Sequence, residues 1–205
     1  DMFSGDFCAK FARGKTSNVP VDTCIMSTIH GFLADCEATR PPNSPRCNAM
    51  DIGANMGTMT SNMLKAGAQV TAIEPQRDLA QLVWATACLN QWSDRLTLFG
   101  NAVTHLATEA GSTLELGNRE KAGEWGFRPD GSHLSKSAKT LQATKIFVEQ
   151  AVGDTRDWSY VKIDTDAIDD ELTASFVQLI EAGKVQVTTV QVESPKAEVV
   201  HALQS

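Results

Sequence analysis

The chain has 205 residues, 42% of them hydrophobic and 21% charged, which suits one ordinary globular domain with a single core. Its formal net charge of −7, without a cluster of Lys and Arg, argues against nucleic acid as the expected partner. We find no run near the roughly 18 apolar residues that a membrane span needs, and no signal peptide. A start at Asp1 is compatible with an excised domain, from either the cytoplasm or the secretory pathway.

We expect an N-terminal helical segment, residues 1–46, and an α/β domain, residues 47–205, that together form one compact unit. Apolar periodicity and capping residues predict two helices in the first segment. These are a short one that carries Phe3, Phe7 and Phe11 on one face, and another from Asp22 or Thr23 to about Ala34.

The five cysteines show no Cys-x-x-Cys or Cys–His spacing, which argues against a zinc site. Cys36 and Cys47 bracket a proline-rich connector, residues 40–45, and could close it as a disulfide in an oxidising compartment. The alternative is that all five are buried or free thiols, because cysteine is often a small core residue.

A glycine turn between two predicted strands is the centre of the sequence. A strand over 48–52 leads into the turn at Gly53–Gly57, a helix over 58–66 follows, and a second strand ends at Glu74. This layout places a nucleoside cofactor at the carboxyl edge of a parallel sheet, with the acid about 20 residues past the first glycine.

The turn has Asn55 where a dinucleotide site has its second glycine. Asn tolerates left-handed backbone conformations, so the turn is preserved. The close approach of the backbone to a pyrophosphate is compromised, however. A cofactor without a phosphate therefore fits better than a dinucleotide.

The middle of the chain predicts a helix over 76–92, a third strand over 96–103 and two short strands over 112–116 and 141–148. The helix is expected to bury Leu79, Leu82, Val83, Ala87 and Leu89. Two aromatics in the loop 124–127 could form a substrate lid, or a hairpin packed over the sheet.

Acidic residues follow the fourth predicted strand, 158–164, which is apolar in the middle as a buried parallel strand should be. Its carboxyl end carries Asp164 and Asp166, while Asp169, Asp170 and Glu171 are interpreted as the N-terminus of a helix over 172–182. A fifth strand is expected over 185–193. We predict no metal site, although Asp164, Asp166 and Glu193 could hold a divalent cation.

Three motifs in this order resemble the FkbM-type S-adenosylmethionine (SAM) methyltransferases. They are Asp51-Ile-Gly-Ala-Asn-Met-Gly57, Ala72-Ile-Glu-Pro75 and Tyr160-Val-Lys-Ile-Asp-Thr-Asp166. The resemblance covers roughly residues 47–193. It implies a three-layer, doubly wound, mostly parallel sheet of the Rossmann-like class I methyltransferase type, truncated at its C-terminal strands or completed by another segment. Where the family pattern resembles Asp-Val-Glu-Gly, this chain has Asp164-Thr-Asp-Ala167.

The resemblance implies SAM as the cofactor. Gly53, Asn55 and Gly57 would shape the turn around its methionine part, and Asp51 would orient the turn or contact the amino group through water. Glu74 would hold the ribose diol. Asn101 and Ala102 would meet the adenine edge, although Asn101 could equally be a turn residue. The candidates for a base that takes a hydroxyl proton are Asp164, Asp166 and His105, with His133 more remote.

These residues predict an FkbM-like SAM-dependent methyltransferase that O-methylates a hydroxyl on a small molecule or sugar. The first alternative is a non-catalytic binding module that keeps the fold, favoured by the altered segment 164–167 and the missing closing strands. The second is a nucleotide-dependent oxidoreductase, which Asn55 disfavours. The oligomeric state stays open.

Overall fold

A computed structural model describes residues 21–116, 141–165 and 168–192. Its helices and strands run in chain order as α1 (Val21–Thr39), β1 (Asn48–Ile52), α2 (Thr58–Lys65), β2 (Gln69–Ile73), α3 (Arg77–Leu89), β3 (Leu96–Phe99), β4 (Ala102–Thr104), β5 (Thr113–Leu116), β6 (Leu141–Phe147), α4 (Val148–Val152), β7 (Asp157–Ile163), α5 (Asp169–Glu181) and β8 (Gln186–Val192).

The main sheet has five strands in the order β3-β2-β1-β7-β8, and every neighbouring pair is parallel. The order reverses beside β1, because the chain runs outward through β2 and β3 and then returns to β7 on the other side. This point is where open α/β sheets bind their ligands, outside the carboxyl ends of the strands. The predicted doubly wound, mostly parallel α/β fold is confirmed.

Helices cover both faces of the sheet, which gives three layers. Ala49 of β1 packs in one apolar cluster with Leu33 of α1 and with buried side chains of α2 and α3. Its neighbour Met50 packs in a second cluster with Phe176 of α5 and with α4. Successive strand residues point to opposite faces, so both faces of β1 are buried, and three of its five residues are apolar. Because α1 shares its core with the sheet, the two predicted segments touch; the division at residue 46 stays a prediction.

The third strand was predicted too long. After Phe99 the chain leaves the parallel sheet at the exposed Gly100, and Ala102–Thr104 form a separate strand. This strand, β4, lies in a second sheet of order β4-β6-β5, in which β4 and β6 are parallel and β5 and β6 antiparallel. Glycine has no side chain to pack and often marks such a bend.

Two helices, α1 and α5, begin or end beyond their predicted bounds, and the buried face of α3 is narrower than predicted. α1 runs on to Thr39, and α5 begins at Asp169. In α3 the prediction of buried Leu82 and Leu89 was wrong, since they are 51% and 85% exposed. The buried residues of α3 are Leu79, Ala80, Val83 and Ala87, a stripe that matches contact with one surface only.

The acids after the fourth strand do mark a helix N-terminus. Asp169, Asp170 and Glu171 form the first turn of α5, where negative charge is stabilised by the helix dipole. This interpretation is therefore confirmed, and the helix begins three residues earlier than predicted.

A disulfide joins Cys36 of α1 to Cys47, directly before β1. Glu37 supports the same corner, because its Oε1 accepts a hydrogen bond of 2.6 Å from the backbone N–H of Cys47. The bridge closes the proline-rich connector and anchors α1 to the edge where the sheet begins. Such a bond persists in an oxidising compartment.

Replacing both Cys36 and Cys47 with serine is expected to lower the free energy of unfolding by about 3 kcal/mol, the usual effect of closing a loop of this length. Urea unfolding followed by tryptophan fluorescence measures the change. Cys88, which is free and exposed, supplies the control, since Cys88→Ser should shift the midpoint little. Equal midpoints for the two variants would show that the bridge does not stabilise the fold.

Several predictions lie outside the described residues: the helix with Phe3, Phe7 and Phe11, the aromatic loop 124–127, and the residues His133, Asp166, Ala167 and Glu193. Within the described ranges, no helix combines the length and the apolar character that crossing a membrane requires.

Candidate functional site

The glycine turn between β1 and α2 is hydrogen-bonded to the carboxyl end of β2. The backbone N–H groups of Gly53 and Ala54 both donate to the carbonyl of Ile73, each at 3.0 Å. Three residues of the turn have positive φ: 82° at Gly53, 52° at Asn55 and 85° at Gly57. The expectation that Asn55 accepts a left-handed conformation is confirmed. In a dinucleotide turn its position belongs to glycine, and here it carries a side chain.

Gly53 also allows β7 to approach the turn. A Cβ placed on Gly53 would lie 1.8 Å from the backbone carbonyl oxygen of Asp164. No side chain fits there, so glycine is required by space as well as by φ. The backbones of the turn and of the β7 end are thus in direct contact.

Glu74, at the end of β2, reaches across to the turn. Its Oε2 accepts a hydrogen bond of 2.8 Å from the backbone N–H of Asn55, and its Oε1 accepts one of 2.8 Å from Gln76. The residue is only 4% exposed. A carboxylate can accept about four hydrogen bonds, so each oxygen keeps acceptor capacity for a ligand while the backbone fixes its position.

Burial raises the pKa of Glu74, and the nearby Asp51 carboxylate adds to this, while the backbone donors at Gln76 and Asn55 act in the opposite direction. Desolvation disfavours the charged form of a carboxyl group. The ionised form of Glu74 therefore gives way to the protonated form at a higher pH than in a free glutamate.

Asp51 occupies the interior of the site. It is fully buried, and its Oδ2 accepts a hydrogen bond of 2.6 Å from the hydroxyl of Thr60 in α2. Its Oδ1 lies 3.3 Å from Nζ of Lys162 on β7, an ion pair without an aligned hydrogen bond. These contacts join Asp51 to α2 and to β7, and its predicted role in orienting the turn stays a prediction.

Lys162 completes the site and was not singled out from the sequence. Its Nζ donates to the carbonyl of Gly53 at 3.2 Å and pairs with Oδ2 of Asp164 at 3.0 Å. Burial acts to lower the pKa of Lys162, but the carboxylates of Asp51 and Asp164 outweigh it, so the pKa is raised. The available signal was a charged residue between the apolar Val161 and Ile163 near the end of a buried strand, since a buried lysine needs partners.

Asp164 is the catalytic candidate that the structure brings to this cluster. Its side chain is 34% exposed, in contrast to Asp51 and Lys162 behind it. Its Oδ2 is the oxygen that pairs with Lys162, and the side chain is partly open to solvent at the end of β7.

Asn101 and Ala102 lie at the start of the second sheet. The Asn101 amide donates to the carbonyl of Thr144 at 3.0 Å, and Ala102 is buried in β4. The assignment of these two residues to an adenine edge stays a prediction.

His105 lies in a different place. It borders a cavity of about 250 Å³ with Phe147, Lys184, the C-terminal half of α5 and Ala182 directly after that helix. At a rise of 1.5 Å per residue, Gln178 is roughly 14 Å along α5 from Asp169 at the helix start. His105 thus lies beside the C-terminal half of α5, the half far from Asp169, and is not among the contacts of the Asp51–Lys162–Asp164 cluster.

Within the part of the chain that is described, no group of three or more His, Cys, Asp or Glu side chains is placed to hold a metal ion. Asp166 and Glu193, two of the three oxygen ligands considered for a cation, are outside that part.

The fold and the turn define an α/β protein with its glycine turn, acid and polar cluster at the switch point of a parallel sheet. The sequence matches no protein-family profile and no curated protein. Among solved structures it is similar to the O-methyltransferase from Bacillus cereus in complex with SAH, at 13% identity over 86% of this chain and 57% of that chain, with a TM-score of 0.44.

Two further solved structures show a similar likeness. One is a SAM-dependent O-methyltransferase from Thermotoga maritima, at 11% identity over 96% of this chain and 53% of that chain, with a TM-score of 0.41. The other is a SAM-dependent methyltransferase from Geobacter sulfurreducens in complex with S-adenosyl-L-homocysteine, at 18% identity over 42% and 32%, with a TM-score of 0.31. The chain spans 25% to 57% of the length of the first structures it matches.

Proposed function

We propose that the chain is a SAM-dependent methyltransferase of FkbM-like type that O-methylates a hydroxyl on a small molecule or sugar. The observation that carries the proposal is the position of Glu74. Its carboxylate is fixed by the Asn55 and Gln76 backbone groups at the tip of β2, with acceptor capacity left on both oxygens. A ribose diol offers two hydroxyl donors to such a carboxylate.

The charge and shape of the site fit the cofactor. Three carboxylates (Asp51, Glu74 and Asp164) and one ammonium (Lys162) leave an excess of negative charge at the edge, which suits a cationic sulfonium. The absent side chain at Gly53 keeps the turn against β7, and the side chain at Asn55 disfavours a pyrophosphate. The site therefore fits a phosphate-free adenosine better than a dinucleotide.

When bound, SAM would supply an activated methyl group, so the chain's residues have to align an acceptor oxygen with it and remove a proton. Glu74 would hold the sugar, the turn Gly53–Gly57 the methionine part, and Asn101 and Ala102 the adenine edge. Asp164 is proposed to accept the hydroxyl proton, because its carboxylate is partly exposed at the edge and held by Lys162. Asp166 remains a further candidate for this proton, whereas His105 could take it only from an acceptor placed beside the far half of α5.

Titration calorimetry with S-adenosylhomocysteine (SAH), the demethylated product, tests the proposal. We expect one molecule of SAH to bind per chain and to raise the melting temperature, since a ligand at 100 times its Kd stabilises the folded state by about 2.7 kcal/mol. NAD at the same concentration should not shift the melting temperature. A shift with NAD alone would favour an oxidoreductase, and no binding of either ligand would favour a non-catalytic module of this fold.

A further inference from the structure

Lys162 is a buried ammonium at the junction of three parts of the site. An ammonium has three N–H donors, and three oxygens surround this one: Asp51 Oδ1 at 3.3 Å, the carbonyl of Gly53 at 3.2 Å and Asp164 Oδ2 at 3.0 Å. Its side chain is 7% exposed. It therefore lies beneath the carboxyl edge and touches the two groups that form it.

We propose that Lys162 is a positioning residue that sets the place of the Gly53 carbonyl and of the Asp164 carboxylate, and so determines affinity for the amino acid end of the adenosyl ligand. The proposal rests on the function proposed above. Lys162 acts through these two neighbours and does not itself contact the ligand.

The turn is held at two points by groups of opposite charge. On the β2 side, the Glu74 carboxylate accepts the N–H of Asn55, and on the β7 side, the Lys162 ammonium donates to the carbonyl of Gly53. The Glu74 anchor lies at the sugar end of the proposed site. The Lys162 anchor lies at the turn and at Asp164, where the methionine part would be held. The two anchors thus act on different halves of one ligand.

The Lys162 ammonium neutralises a buried carboxylate and also contacts two groups at the carboxyl edge. Asp51 is fully buried, and a buried carboxylate without a cation is costly. Neutralising Asp51 requires only the contact with its Oδ1. Lys162 also donates to the Gly53 carbonyl and pairs with the partly exposed Asp164 carboxylate. These two additional contacts connect the buried pair to the ligand edge.

Two ligands separate positioning from plain stability. SAH carries the amino acid end, whereas methylthioadenosine has the same adenosine and sulfur but lacks the amino and carboxyl groups. The main variant is the double change Lys162→Met with Asp51→Asn, which removes both charges and leaves no unpaired carboxylate in the core. Lys162→Met alone is the second variant, and Lys184→Met, which breaks the exposed pair with Glu149 on the far side, is the control.

Calorimetric Kd values are measured for both ligands on the full 205-residue chain, with melting temperatures recorded alongside. In both the double variant and Lys162→Met, which keeps Asp51, we expect the affinity for SAH to fall about tenfold or more, because small displacements of the groups that hold a ligand are costly. Methylthioadenosine should bind within about twofold of the unchanged chain, and Lys184→Met should alter neither Kd.

A parallel loss for both ligands, or no loss for SAH in a folded double variant, would overturn the positioning role while leaving the proposed function in place. If the unchanged chain bound neither ligand, the proposed function would fail and the positioning role with it. The two failures are therefore distinguishable in the same set of titrations.

Discussion

Replacing Glu74 with alanine is expected to weaken SAH binding by at least about a hundredfold. Each hydrogen bond from a ligand hydroxyl to a charged group is worth about 1.5–3 kcal/mol, and 1.4 kcal/mol corresponds to tenfold in affinity. The same change removes the acceptor of the Asn55 and Gln76 N–H groups, while the bonds of Gly53 and Ala54 to the carbonyl of Ile73 still hold the turn on β2. Calorimetry measures the loss, and Glu181→Ala, at the exposed end of α5, is the control.

The pH dependence of binding tests Glu74 while its side chain stays in place beside the turn. Because the pKa of Glu74 is raised above 4.5, chiefly by burial, affinity should fall as the pH is lowered through that raised value, before a free glutamate would protonate. Glu74→Gln should bind weakly with little dependence on pH. The free energy of unfolding depends on pH in the opposite direction. The protonated acid stabilises the fold at low pH, and this contribution is lost as the pH rises through the raised pKa.

An SAH affinity unchanged in Glu74→Ala would remove the main support for the proposed cofactor site.

Gly53→Ala is expected to destabilise the chain by several kcal/mol, on the order of 4, or to prevent folding. The added Cβ would lie 1.8 Å from the Asp164 carbonyl oxygen, so either the turn or the end of β7 has to move. Backbone strain at φ 82° adds about 1–2 kcal/mol to this. Urea unfolding gives the free energy, and the soluble yield reports a failure to fold.

Gly183→Ala separates the two contributions to that loss. Gly183 also has a positive φ, 65°, but nothing lies within 4 Å of its Cβ position. It should therefore lose only the conformational part, about 1–2 kcal/mol. If both alanine variants lost the same free energy, the close contact between the turn and β7 would not exist in the folded chain.

The main sheet and its turn were predictable because they depend on local patterns. The strand over 48–52, the left-handed Asn55 and the acid at Glu74 all follow from apolar runs and from the turn chemistry of glycine and asparagine. The same reasoning failed at Leu89 and Leu82, since periodicity identifies an apolar stripe but not which of its residues a neighbouring element covers. It also joined β3 and β4, because strand pairing is chosen by partners far along the chain.

The sequence by itself determined the conformation of the turn and the acid at the tip of β2, since each depends on residues close together along the chain. The order of strand, helix and strand along the sequence also predicted parallel pairing, because such crossovers join parallel strands. Only the tertiary structure decided that Lys162, about 110 residues after Asp51, pairs with it across β1 and β7. It also decided that His105 lies beside the far half of α5, away from that cluster. The reason is that the ion pairs and cavity depend on which strands and helices become neighbours, and burial makes those contacts strong only after the sheet has formed.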